Sequence, residues 1–113
     1  MTHSHDSRRI ALVVDDSPET LRLLTDALDA AGFTVMVALD GESALKIAVH
    51  ITPDVVLLDA VMPGMSGFEA CRRLKQEPQL AHVPVIFMTG LTETAHILEG
   101  LAAGGVDYVT KPI

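Results

Sequence analysis

Five short apolar runs, separated by four stretches with helical spacing, most constrain what this chain can fold into. The runs are "IALVV" (10–14), "TVMVA" (34–38), "DVVLL" (54–58), "PVIFM" (84–88) and "VDYVT" (106–110). Each is short for a helix and rich in β-branched or bulky residues, so each reads as a strand. After the first run, Ser17 and Pro18 offer a helix N-cap and a first helical residue. Leu21, Leu24, Leu28 and Ala31 then recur at helical spacing until Gly32. Asp40 caps a second helix carrying Leu45, Ala48 and Val49, which ends before Pro53. Phe68, Cys71 and Leu74 mark a third. Thr92 caps a fourth over 92–103, bearing Ile97, Leu98 and Leu101 and closed by Gly104 and Gly105.

Strict alternation of strand and helix builds a parallel sheet with right-handed crossovers. The run "DVVLL" is apolar on both faces, as suits a central strand covered by helices on each side. The expected class is therefore α/β: a doubly wound, five-stranded parallel sheet in the flavodoxin-like order 2-1-3-4-5. Its ligand crevice lies at the carboxyl ends of the first and third strands. At 113 residues the chain makes one domain. Residues 1–8 read as a flexible N-terminal tail and 9–113 as the domain.

That fold says where a site must be, and polar residues stand there. The first strand ends on Asp15 and Asp16, the third on Asp59, the fourth on Thr89, and the fifth on Thr110, Lys111 and Pro112. Any one of these Asp residues alone would read as a turn or cap. Three carboxylates, a hydroxyl and an ammonium gathered on one rim from four segments read as a site. Two adjacent carboxylates about 4 Å apart repel by about 4 kcal/mol at an effective dielectric of 20, and a divalent cation offsets that. An oxygen-only donor set without His or Cys suits Mg²⁺, which takes one or two carboxylates and keeps positions for water and phosphate oxygens. The loop spacing of an EF-hand Ca²⁺ site is absent.

A carboxylate beside such an ion can act as a nucleophile toward phosphorus. Asp59, on the central strand, is the candidate. Lys111 would pair with the phosphoryl group, the Thr89 hydroxyl would donate to it, and Gly90, lacking a side chain, would let it approach the backbone N–H groups.

Charge and composition narrow the partners. A net charge of −7 argues against direct nucleic-acid binding or an anionic membrane surface. The apolar runs are far shorter than a membrane span, and "MTHSHDSRR" has no apolar leader core, so a cytoplasmic location is expected. The lone Cys71 fits a reducing compartment and reads as a small buried helix residue.

Four motifs, "VVDDS" (13–17), "LLDAVMPGMSG" (57–67), "MTG" (88–90) and "DYVTKP" (107–112), occur in the order and spacing of a known family. Over nearly its whole length the chain resembles the receiver domains of two-component response regulators. The resemblance implies that Asp59 accepts a phosphoryl group from a phosphohistidine on a sensor histidine kinase or phosphotransfer protein. It implies that Asp16 and Asp59 coordinate Mg²⁺ with the backbone carbonyl of Val61, Asp15 acting mostly through water. It makes Thr89 and Tyr108 a switch pair whose movement alters the face of helix 92–103 and the fifth strand, so as to regulate an output domain or downstream partner.

Two departures from the family pattern stand out. Val61 and Leu91 are apolar where the family often carries polar groups that influence water attack, which predicts slow dephosphorylation. The family also has a fifth helix after the Lys-Pro turn, whereas this sequence ends at Ile113. The expectation is a chain recorded short of its natural end, the alternative being a homodimer in which a second protomer covers the open sheet face. Two rival functions remain. One is a Mg²⁺-dependent phosphatase with an Asp nucleophile, which needs a second Asp where Ser17 stands. The other is a receiver-like binding module that takes no phosphate.

Overall fold

The structure is a computed structural model that describes residues 9–89, 104 and 107–110, with the backbone alone described at 89 and 107–110. In chain order the elements are β1 (Ile10–Val14), α1 (Pro18–Ala30), β2 (Thr34–Ala38), α2 (Gly41–Ile51), β3 (Val55–Asp59), α3 (Gly67–Gln76), a 3₁₀ turn (Pro78–Leu80), β4 (Val85–Thr89) and β5 (Asp107–Thr110). The strands form one sheet in the order β2-β1-β3-β4-β5, every neighbouring pair parallel. This is the expected doubly wound arrangement. The tail 1–8 and the helix expected over 92–103 lie outside the described residues.

The helices start where the sequence offers caps. The Ser17 hydroxyl accepts the Thr20 N–H at the head of α1, with Pro18 at the first helical position. The Asp40 carboxylate accepts the Ser43 N–H at 2.8 Å at the head of α2, and Ser66 accepts the Glu69 N–H at 3.2 Å at the head of α3. Each satisfies a backbone donor that the first helical turn leaves without a partner. Gly32, at φ +99°, takes the left-handed turn that ends α1 and returns the chain to β2.

Period-2 alternation splits the sheet between two cores. Leu12 and Val14 of β1, with Val56 and Leu58 of β3 and Phe87 of β4, face α2 and α3. They pack there on Ala44, Ala48, Phe68, Cys71 and Leu74. Val13 and Met88 face the other way, onto Leu21 and Leu24 of α1, with Leu57 and Val35 packed beside them. The inward residues expected on α3 are all buried.

On α2 the inward face differs from the periodicity reading. Gly41, Ala44 and Ala48 are buried while Val49 is 39% exposed, with Leu45 and Ile47 flanking the contact. Ala44 and Ala48 let this helix lie close to the sheet and Gly41 lets its head approach Met65, and that closeness sets its rotation more strongly than the larger residues do. Strand limits move by one residue: β3 and β4 begin and end one position later than the apolar runs suggest, so Asp59 closes β3 in register with Met88. Among the described residues no helix is long and apolar enough to cross a membrane.

Candidate functional site

Because all five strands are parallel, their carboxyl ends share one edge of the sheet. The chain leaves β1 into Asp15, whose backbone N–H donates to the Ala38 carbonyl at 3.1 Å and extends the β1–β2 ladder by one step. That bond carries Asp15 along the strand direction and buries it completely. Its Oδ1 accepts the Ser17 N–H at 2.8 Å, turning the chain toward the α1 cap. Asp16, between the two anchored residues, is exposed. Sequence neighbours with the same side chain thus occupy opposite environments.

Asp59 is 5% exposed at the end of β3. Its Oδ1 accepts the Val61 N–H at 3.2 Å, and the next residue, Ala60, donates its N–H to the Met88 carbonyl at 3.1 Å. The carboxylate is therefore oriented by the Val61 N–H, while the backbone that carries it is tied to β4. One carboxylate oxygen from each of Asp15, Asp16 and Asp59 lies within 4.8 Å of the others. Two of the three acids are buried, where uncompensated charge is expensive. Oxygen donors in this span suit a hard divalent cation that contacts the acids directly or through bound water.

The loop from Ala60 to Ser66 leads from the site to the head of α3. Met62 is buried in the larger core and Met65, partly buried, packs against it. The Gly67 N–H donates to the Ala60 carbonyl at 2.9 Å, so the start of α3 folds back on the end of β3. In the sequence, Gly67 is marked only by its place at the end of the "MPGMSG" run. Val61 projects its apolar side chain outward, 58% exposed, as expected for a rim position.

The other expected site residues are placed only in part. Thr89 ends β4 opposite Thr110 of β5, and Tyr108 pairs in register with Phe87, which puts both switch candidates on adjacent strands. Gly90, Leu91, Lys111 and Pro112 lie outside the described residues. The structure brings together Asp15, Asp16 and Asp59, with the Val61 N–H on the Asp59 carboxylate. Asp40 stands apart as the α2 cap, where hydrogen bonds from Ser43 hold its carboxyl below the usual range.

Comparison with known proteins agrees with this geometry. Residues 11–113 match the model of the response regulator receiver domain. The chain is 45% identical over 102 residues to response regulator PleD of Caulobacter vibrioides, an alignment covering 90% of this chain and 22% of that protein. It is 41% identical over 105 residues to DNA-binding response regulator MtrA of Mycolicibacterium smegmatis, covering 93% and 45% respectively. It therefore spans less than half the length of these curated relatives. Among solved structures, chemotaxis protein CheY4 of Vibrio cholerae superposes with a TM-score of 0.92 at 32% identity, over 95% of this chain and 89% of that one. With the fold, the strand-end acids and a family match spanning almost all of its residues, this chain belongs to the response regulator receiver domains, the regulatory modules of two-component systems.

Proposed function

We propose that this domain is a phosphorylation-activated switch in which Asp59 accepts a phosphoryl group from the phosphohistidine of a sensor histidine kinase or phosphotransfer protein. The observation that carries the reading is the position of Asp59: nearly buried, at the end of the central strand, with a carboxylate oxygen within 4.8 Å of those of Asp15 and Asp16. Asp15, Asp16, Asp59 and the Val61 carbonyl would hold Mg²⁺. When bound, the ion neutralises charge that builds on the phosphoryl oxygens.

The chain's own groups do the rest. A carboxylate oxygen of Asp59 donates an electron pair to phosphorus as the P–N bond breaks, and the pair from that bond leaves with the imidazole, giving an acyl phosphate and a free histidine. The Val61 N–H orients the Asp59 carboxylate through Oδ1, so attack starts from a fixed plane. Lys111 pairs with the phosphoryl oxygens, and the Thr89 hydroxyl and the Gly90 backbone donate to them. Movement of Thr89 draws Tyr108 inward and changes the face formed by residues 92–103 and β5. That face then acts on an output domain, a downstream protein or a second copy of the domain, in the cytoplasm.

Intact mass after incubation with acetyl phosphate and Mg²⁺ tests this reading. One phosphoryl group should add to the wild type and none to Asp59→Asn. Equal labelling of both proteins would remove Asp59 from the role. No labelling of either would favour a binding module, and multiple turnover of a generic phosphomonoester would favour a phosphatase.

A further inference from the structure

Gly67 opens α3 eight positions beyond Asp59, yet the two backbones touch. A Cβ built on Gly67 would overlap the Asp59 carbonyl oxygen outright and stand 2.8 Å from both the Asp59 carbonyl carbon and the Ala60 Cα. All three atoms are backbone, in a strand hydrogen-bonded to its neighbours, so none can swing aside as a side-chain end would. The contact is closed by the hydrogen bond from the Gly67 N–H to the Ala60 carbonyl. Clearing ordinary van der Waals distance requires the strand end or the helix head to shift on the order of 1 Å.

Gly41 is the natural contrast. A Cβ there would come 2.8 Å from Met65 Sδ, which side-chain rotation can move aside, and 3.3 Å from Met65 Cβ and Cγ, a tight contact that a shift of a few tenths of an ångström in the loop relieves. Both glycines begin helices beside the same loop, but only Gly67 bears on the residue that carries the chemistry.

We infer that Gly67 is a positioning residue for Asp59: by letting the head of α3 rest directly on the Asp59 peptide, it sets where that carboxylate stands relative to Asp15 and Asp16. The inference rests on the function proposed above and assigns a determinant of it outside the acids themselves. A displacement near 1 Å is enough to lower the rate of a positioned reaction by about a hundredfold. Groups that orient metal ligands typically change metal affinity by about ten- to a hundredfold when altered. The Ser66 cap acts in the same direction more weakly, because its hydroxyl secures the first turn of α3 through the Glu69 N–H.

The test measures Mg²⁺ affinity of the unphosphorylated protein by calorimetry, and acetyl phosphate labelling by intact mass, in wild type, Gly67→Ala, Gly41→Ala, Ser66→Ala and Ser66→Thr. Thermal melts establish that each is folded. Gly67→Ala should bind Mg²⁺ about tenfold more weakly and label about a hundredfold more slowly, while Gly41→Ala stays within about twofold of wild type on both measures. Ser66→Ala should lose Mg²⁺ affinity by a smaller factor, restored in Ser66→Thr, which keeps a capping hydroxyl. Should Gly67→Ala not fold, the Ser66 pair decides by itself. Wild-type Mg²⁺ affinity in folded Gly67→Ala, or in Ser66→Ala when the glycine variant cannot be made, overturns the inference. Failure of the proposed function reads differently, as wild type that binds Mg²⁺ and responds to Gly67→Ala but takes no phosphoryl group.

Discussion

Replacing Asp59 by Asn should stabilise the metal-free protein, although the side chain is nearly buried and hydrogen-bonded. Asn is close in shape and keeps an Oδ1 able to accept the Val61 N–H, so what changes is chiefly charge. Asp59 and Asp15 present carboxylate oxygens within 4.8 Å in a buried setting. At that separation and an effective dielectric of 20 the repulsion is about 3.5 kcal/mol. Asp16 is exposed, and its repulsion, taken at the dielectric of water, adds about 1 kcal/mol. Other protein groups at these carboxylates, together with solvent counterions, relieve part of the sum, leaving a net gain of about 1–3 kcal/mol for the variant in chelator. With a urea m-value of about 2 kcal/mol/M, the unfolding midpoint rises by roughly 0.5–1.5 M. Added Mg²⁺ should reverse the ranking's cause. Wild type gains about 2.7 kcal/mol at a hundredfold excess over its dissociation constant, the variant gains less, and the gap narrows. Urea melts followed by circular dichroism, in chelator and in Mg²⁺, measure all four values. A variant no more stable than wild type in chelator would refute the idea that the three acids repel one another in the folded state.

Three further outcomes are expected. The phosphorylated form should persist for minutes or longer, because Val61 offers an apolar side chain at the rim and Leu91 is apolar as well; a half-life of seconds at neutral pH counts against this, and Val61→Glu should shorten whatever lifetime is found. Phe87→Ala should cost about 3–5 kcal/mol in urea unfolding, since Phe87 is fully buried and its ring lies 5.1 Å from that of Phe68; a loss under about 1 kcal/mol would mean the larger core is not packed around this pair. Burial pushes the Cys71 thiol from 9.0 up to about 11, against the opposing pull of Lys75 and Arg72. The folded state therefore keeps a proton that the unfolded state gives up, so this contribution is intact below about pH 9 and is lost as pH rises toward about 11. Urea melts across that window should fall less steeply for Cys71→Ala than for wild type, and parallel slopes would contradict the assignment.

Much of this protein is legible because its signals are local. Side chains alternate along a strand whatever surrounds it, so "IALVV" and "TVMVA" give their strands to the residue. Ser17 with Pro18, and Asp40, reach only their own helix heads, and both cap as their types require. Parallel alternation then forces the strand ends onto one edge, which is why the sequence alone groups Asp15, Asp16 and Asp59. Their sequence does not say which acid is inside. Asp15 is buried and Asp16 exposed because the Ala38 carbonyl, on another strand, takes the Asp15 N–H. The rotation of α2 follows from how closely Gly41, Ala44 and Ala48 approach their neighbours, and it leaves Val49 outside. The contact of Gly67 with Asp59 is likewise a matter of two backbones meeting across a loop. Periodicity and capping depend on a few consecutive residues and are written in the chain. Depth, rotation and close approach depend on which surfaces fit together once the whole sheet is covered, and only the packed structure decides them.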